Sequence, residues 1–270
     1  MKIKTFIVVH DQDIILDSIH YKKYESIDNL IFLFVGNGDV SKIKDKTNVI
    51  VCRDLQYNIE QYKDLTSYTA WYAVWKNKLC GDDIDYVTFL EYDCIIRPNY
   101  FQKLKQILNQ NNQIDIIGYS QINIHHTLFL KHEVYSGGLI KSLKKIYDID
   151  ILNSIQKYAI NKKCAIVTNK TIKVNVFENY MEWSFPVVND FGGSEFAGHF
   201  IERLVTVYYL INNLNNCFLL NAVENLEFNS SNYNYNKNNT DKKKYYDYII
   251  GKNTEKIKLN RWGIKSYVLE

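Results

Sequence analysis

Long apolar runs, proline and glycine are all scarce in this 270-residue chain, which has 2 prolines and 11 glycines, and its five cysteines form no Cys-x-x-Cys pair. The shortage of proline and glycine accompanies a surplus of Asn, Lys, Ile and Tyr, the bias of an AT-rich coding sequence. Abundant asparagine, and the Asn-x-Ser/Thr triplets at Asn169, Asn229 and Asn238, are therefore not read as function. Cys52, Cys80, Cys94, Cys164 and Cys217 are odd in number, and three of them sit in or beside apolar runs, where a reduced thiol behaves as a small hydrophobe. That excludes a disulfide framework and a zinc site of the usual spacing. No run approaches membrane-spanning length, and the apolar stretch of "MKIKTFIVVHDQD" is too short for a signal peptide, so a cytoplasmic location is expected. Charge of one sign is lacking as well. A formal net charge of +3, with scattered lysines, does not suit a protein that binds nucleic acid by neutralising phosphates.

What is present is an alternation of short apolar runs with helical patterns. "TFIVV" (5–9), "LIFLFV" (30–35), "NVIVC" (48–52), "DYVTFLEYD" (85–93) and "IDIIGYS" (114–120) read as strands. A helix is expected after the first, to about Lys23. Another is expected over 61–79, with Leu65, Tyr68, Tyr72, Trp75 and Leu79 on one face. A third follows Pro98, a residue suited to a first helical turn. Continuous apolar strands separated by helices predict an α/β fold with a mainly parallel central sheet flanked by helices. In the second half, 137–160 reads as a helix and "CAIVTNKTIKVNVF" (164–177) as a strand or hairpin edge. The clearest helix spans 194–214, with Ser194 as its cap and Glu195 in its first turn. After Phe218 the chain turns polar, an exposed excursion.

Ligands of such sheets bind outside the carboxyl ends of the strands. That rule directs attention to Glu91 and Asp93, which close the fourth apolar run. Residues two apart on a strand share a face, so both carboxylates can converge on one cation such as Mg²⁺ or Mn²⁺. The plainer alternative is that Glu91 hydrogen-bonds backbone and Asp93 starts a turn. His10, Asp11 and Asp13 follow the first strand at the same edge, as pocket residues or as a solvated turn. "VGNGDV" (35–40) lacks the third glycine of a dinucleotide fingerprint and the Gly-Lys-Ser/Thr of a P-loop. It reads as a tight turn with Asn37 and Gly38 in left-handed conformations. His125, His126 and His132 lack a metal spacing. His199, Glu202 and Arg203 put ionisable groups on an apolar helix, as a core network or as a base and phosphate ligand.

"DLTSYTAWYAVWKN" (64–77) with "DYVTFLEYDCII" (85–96), and "VFENYMEWSFPVV" (176–188) with "FAGHFIERLVTVYYL" (196–210), resemble in order and spacing the corresponding segments of GT-A glycosyltransferases of the capsular-polysaccharide type. The resemblance covers about half the chain. It implies one GT-A-like, Rossmann-like domain over 1–270, with 1–120 binding the nucleotide sugar and 121–270 facing the acceptor. It also implies a UDP-sugar donor, a glycan or lipid-linked hydroxyl acceptor and a Mn²⁺ or Mg²⁺ ion. Glu91-Tyr92-Asp93 falls where that family carries its metal-binding Asp-x-Asp, with Glu in the first place. Glu195 and Asp190 match the region of the catalytic base. His10, Asp11, Tyr68, Tyr92, His199 and Arg203 become the expected nucleotide contacts. Many metal-dependent members add a His near the C-terminus, and this chain has none after His199. A nucleotidyltransferase and a non-catalytic glycan- or partner-binding module are the rival readings. "KKKYYDYIIGK" (242–252) is read either as a solvated tail or as a peripheral membrane contact.

Overall fold

The apolar runs of the first half fold as strands covered on both faces. The computed structural model describes residues 1–17, 29–92, 94–96, 100–119, 122–123, 133–151, 153, 163–164, 168–219, 223–225, 258–261 and 265–268. The first half gives β1 (Ile3–Val9), α1 (Gln12–Asp17), β2 (Leu30–Phe34), β3 (Val49–Val51), α2 (Ser67–Lys76), β4 (Tyr86–Glu91), β5 (Cys94–Ile96), α3 (Tyr100–Gln110) and β6 (Ile116–Gly118). The second half adds β7 (Ile122–Asn123), α4 (Glu133–Tyr147), β8 (Lys163–Cys164), β9 (Lys170–Lys173), α5 (Val174–Phe191), α6 (Ala197–Ile211) and β10 (Asn216–Phe218). Short strands β11 (Val223–Asn225), β12 (Lys258–Arg261) and β13 (Lys265–Val268) follow.

Seven strands form one mixed sheet in the order β10-β6-β9-β4-β1-β2-β3. β1 runs parallel to β2 and β4, β2 to β3, and β6 to β10, while β9 is antiparallel to both its neighbours. Strands from both halves of the chain thus enter one α/β sheet. β1 shows why it sits centrally. Phe6 and Val8 enter the core on the α2, α5 and α6 side, and Ile7 and Val9 enter the core on the α1 and α3 side. A strand buried on both faces needs this uninterrupted apolar sequence.

The stretch 164–177 departs from expectation. Among the described residues there, Lys170–Lys173 is the strand of the sheet, and it lies in the interior, between β4 and β6. Helix α5 starts at the next residue, where the Val174 N–H leaves the ladder for the Asp85 carbonyl (3.0 Å). From Val176 the buried residues follow helical spacing: Phe177, Tyr180, Met181, Ser184, Val187 and Val188. Phe177 packs on Phe89 of β4 with ring centroids 5.1 Å apart. The interior strand is tied in by hydroxyls, with Thr88 of β4 bonded to Thr171 of β9 at 2.6 Å. Tyr119 also bonds Thr171, and Tyr100 bonds Tyr119 at 2.7 Å.

Three helices also differ in extent, the first being α2, which runs Ser67–Lys76 instead of 61–79. α4 runs Glu133–Tyr147 instead of 137–160, and 154–162 lie outside the described residues. The late helix begins at Ala197, with Phe196 in the cap position and no side-chain cap. Ser194 instead receives the Phe196 N–H (3.3 Å), so Glu195 sits in the preceding turn.

Candidate active site

Because β1, β2 and β4 are parallel, their carboxyl ends meet at one edge, where a cavity of about 420 Å³ opens. Val8 to His10 line it from β1, Gly36 from beyond β2, and Glu91 and Tyr92 from the end of β4. Glu60 and Tyr62 close one side, and Thr66, Ser67 and Thr69 bring in the start of α2.

Alternation along β4 aims Glu91. Val87 and Phe89 face the α2 side, and Glu91, two residues on, shares that face. The Ser67 hydroxyl donates to Glu91 Oε1. The Glu91 N–H donates to Asn169 Oδ1 at 2.7 Å, and the Tyr92 N–H to the Val8 carbonyl at 3.0 Å. The carboxylate therefore stands at the amino end of α2, where the helix dipole favours negative charge. The Tyr92 ring meets His10 edge-on, centroids 4.5 Å apart.

Thr66, immediately before α2, has φ 49° and ψ −127°. That is close to the first central position of a type II′ turn, which glycine dominates. For a β-branched residue it costs about 1–3 kcal/mol. Neighbours hold it there. The Thr69 hydroxyl donates to its carbonyl at 2.7 Å, and α6 passes so close that a Cβ on Gly198 would lie 3.3 Å from Thr66 Cγ2. Strain of this kind at a cavity wall is a mark of a functional position.

A second carboxylate stands across the cavity. Glu60 Oε2 accepts the Gly36 N–H at 2.6 Å, while Oε1 is buried with no hydrogen-bond partner. Burial pushes the Glu60 carboxyl above its ordinary range, against the Gly36 N–H and the Arg53 charge, which pull it down. Arg53 donates to the carbonyls of Gly36 (2.7 Å) and Gly38 (2.9 Å), fixing the loop. The left-handed residue of this turn is Gly36 (φ +81°), not Asn37 or Gly38. Gly38 serves close approach instead, since a Cβ there would lie 2.9 Å from the His10 carbonyl.

Of the residues expected at the site, Glu91, His10 and Tyr92 come together in this cavity. Asp93 lies outside the described residues, as do His125, His126 and His132. Asp11 Oδ1 accepts the Asp13 N–H (2.8 Å) at the start of α1. Tyr68 does not face the cavity; it is fully buried, with its hydroxyl on Ser184 (2.9 Å), because helix spacing turns it into the core between α2 and α5. Arg203 is also interior, donating to the His199 carbonyl of its own helix at 2.8 Å. His199 is exposed, 3.8 Å from Glu202. Asp190 is held by Ser142 (2.7 Å) and Lys145 of α4, whose hydrogen bonds keep its carboxyl below its ordinary range. Glu195 is exposed in the turn between α5 and α6. That turn neighbours the cavity wall, since a Cβ on Gly192 would lie 4.0 Å from the Tyr62 ring.

Sequence reading missed Glu60, Ser67 and Asn169. Glu60 follows the third strand and Ser67 opens the helix before the fourth, so the strand-end rule could have flagged both. Asn169 had no such signal, because its antiparallel strand was not recognised as interior.

Among the described residues no three His, Cys, Asp or Glu side chains gather to hold a metal. Glu91 offers a carboxylate beside the Ser67 hydroxyl. That suits a hard ion held through one or two carboxylates plus substrate phosphates. None of the described lining residues is Lys or Arg.

The sheet order, the antiparallel interior strand and the flanking helices make a GT-A-like α/β fold. The structure resembles that of WbbM, a bifunctional glycosyltransferase in its apo form, with a TM-score of 0.57 and 16% identity. The match covers 85% of this chain and 47% of WbbM, so this chain spans about half of that protein's length. At this identity the likeness shows the fold and nothing finer. Looser likenesses, at TM-scores too low to define a shared fold, reach two further enzymes. One is glucosyl-3-phosphoglycerate synthase of Mycobacterium tuberculosis with Mn²⁺, UDP and glucosyl-3-phosphoglycerate (TM-score 0.40, 11% identity, 85% of this chain and 74% of that). The other is core-mannan synthase A of Aspergillus fumigatus in its Mn/GDP form (0.38, 9%, 81% and 73%). No family model matches the sequence, and no curated protein matches it. No helix among the described residues is long and apolar enough to cross a membrane.

Proposed function

We propose that this protein is a glycosyltransferase that moves a sugar from a nucleoside-diphosphate sugar, UDP-linked, to a hydroxyl of a glycan or lipid-linked acceptor. The observation that carries the reading is the cavity at the carboxyl ends of β1, β2 and β4, with the Glu91 carboxylate fixed at its β4 end by Ser67. A Mn²⁺ or Mg²⁺ ion held at Glu91, with Asp93 as the second carboxylate, would stabilise the charge of the departing diphosphate.

A divalent cation would also offset the repulsion between a diphosphate and the Glu60 and Glu91 carboxylates that line the cavity. Ser67 holds one Glu91 oxygen and so orients the carboxylate, while the amino end of α2 supplies backbone N–H dipoles beside the phosphates. His10 and Tyr92 wall the β1–β4 side. The acceptor hydroxyl needs a carboxylate to take its proton. We assign that role to Glu195, exposed in the turn whose Gly192 lies by the Tyr62 ring. Asp190 is committed to Lys145 and Ser142. Residues 1–120 form the donor side in this reading and 121–270 the acceptor side.

The test is release of nucleoside diphosphate from a panel of nucleotide sugars with Mn²⁺, with and without glycan acceptors. Turnover of a UDP-sugar that chelation abolishes is the expected result. No turnover and no binding of any nucleoside diphosphate contradicts the proposal.

A further inference from the structure

Another cavity, of about 130 Å³, lies at the opposite end of α2 from Ser67 and Glu91. Trp75, next to last in that helix, lines it with Lys78, Cys80, Asp82, Phe177 and Glu178. At 1.5 Å per residue, Ser67 and Trp75 stand roughly 12 Å apart along the helix axis. The two cavities share no lining residue.

Burial sorts the walls into a floor and a rim. Phe177 and Cys80 are buried, and Trp75 is half-buried. Burial pushes the Cys80 thiol up to about 12, with the Glu178 charge adding to it, so the floor is uncharged. Lys78, Asp82 and Glu178 are exposed on the rim. Among the described residues, none hydrogen-bonds or ion-pairs with these three side chains, which leaves them facing solvent and any ligand.

Volume and charge together define what fits. The space of about 130 Å³ is close to that of a roughly 150 Å³ cavity known to admit benzene, so it takes one six-membered ring. Trp75 offers such a ring an apolar surface. Two carboxylates on the rim stand against Lys78, and Lys4 lies behind, donating to the Leu79 carbonyl at 2.6 Å. An anion meets Asp82 and Glu178, and a cation meets the two lysines, so neither sign is favoured. The Trp75 ring already carries Lys76 Nζ at 3.7 Å from its centroid, which an ammonium ligand would have to displace. A neutral ring edged with hydroxyls satisfies every group. The carboxylates accept its O–H donors, Lys78 donates to its oxygens, and its C–H face lies on the indole. We infer that this cavity binds one pyranose unit of a neutral glycan, apart from the cavity at Glu91.

The surface beyond it continues the pattern. Trp75 meets Tyr72 and Phe185 with ring centroids 6.0 and 6.1 Å away, and Tyr72 meets Phe185 at 5.1 Å. All three rings are partly open to solvent. Tyr57, 46% exposed, joins them at the end of α2, where its N–H donates to Asn77 Oδ1 at 3.2 Å. Neighbouring units of the same glycan chain would rest on these rings.

The part this site plays in sugar transfer rests on the proposed function, whereas the binding itself does not. The test is calorimetry on the full chain, without nucleotide or metal. The probes are neutral hexasaccharides of glucose, mannose and galactose, with choline and inorganic phosphate as charged controls. At least one hexasaccharide is expected to bind, and neither charged control. Glu178→Ala, a change on the exposed rim, is expected to weaken that binding about tenfold, the worth of one hydrogen bond to a charged group. Trp75→Ala is expected to abolish it, and Glu178→Ala carries the test if that variant does not fold. Binding of UDP with Mn²⁺ should be the same in Glu178→Ala as in the wild type. No hexasaccharide binding, saccharide binding that Glu178→Ala leaves unchanged, or choline or phosphate binding that Glu178→Ala removes overturns the inference. Saccharide binding that responds to Glu178→Ala in a protein that binds no nucleoside diphosphate overturns the functional proposal and leaves this site standing.

Discussion

The hydroxyl of Ser67, the first residue of α2, is hydrogen-bonded to Oε1 of Glu91, the last residue of β4. One short contact thus couples the entry of a helix to the end of an interior strand, at the wall of the cavity. Thr66, strained at φ 49°, sets the helix start that makes this contact.

Removing the contact should act on ligand affinity more than on folding. Glu91 is partly open to the cavity, so water can replace the lost donor. Ser67→Ala is expected to weaken Mn²⁺-dependent UDP binding about tenfold, the size of one hydrogen bond to a charged group. The melting temperature should change little. Calorimetry with a parallel melting curve checks this, and unchanged affinity would remove Ser67 from the site.

Tyr68 gives the opposite prediction. Its hydroxyl bonds Ser184 inside the core, and burial pushes it well above the ordinary phenol range. Tyr68→Phe should cost about 1 kcal/mol of stability, a drop of roughly 2–4 °C in melting temperature for a chain of this size. KM for the donor should stay at the wild-type value. A raised KM with intact stability would return Tyr68 to the nucleotide site.

Packing between α4 and α6 makes a stability prediction away from the site. A Cβ on Gly138 would lie 2.5 Å from the Phe200 ring. Alanine gains up to about 1 kcal/mol in helix propensity, but overpacking costs about 1–3 kcal/mol. Gly138→Ala is expected to lower stability by chemical denaturation, and a stabilised variant would show that Phe200 can yield.

The first half of the fold was legible because strands buried on both faces must be continuously apolar, and β1, β2 and β4 are. The interior position of β9 was not. "TIKVNVF" alternates as a strand would, and only the tertiary contacts of Phe177, Tyr180 and Met181 decide that the helix begins at Val174. Pro186 within α5 further hides that helix from pattern reading. At the site, Glu91 was found because strand ends are visible in sequence. Glu60 was overlooked because it stands well beyond the end of β3 in sequence. Ser194 looked like a cap, but a cap is defined by backbone geometry, and the helix starts three residues later.

The central claim is that the cavity between β2 and β4 holds the donor nucleotide, and a crystal soaked with UDP and Mn²⁺ tests it most directly. The account predicts a diphosphate and metal at Glu91, with the rest of the nucleotide in this cavity. Nucleotide density elsewhere on the molecule, with this cavity holding only solvent, would contradict it.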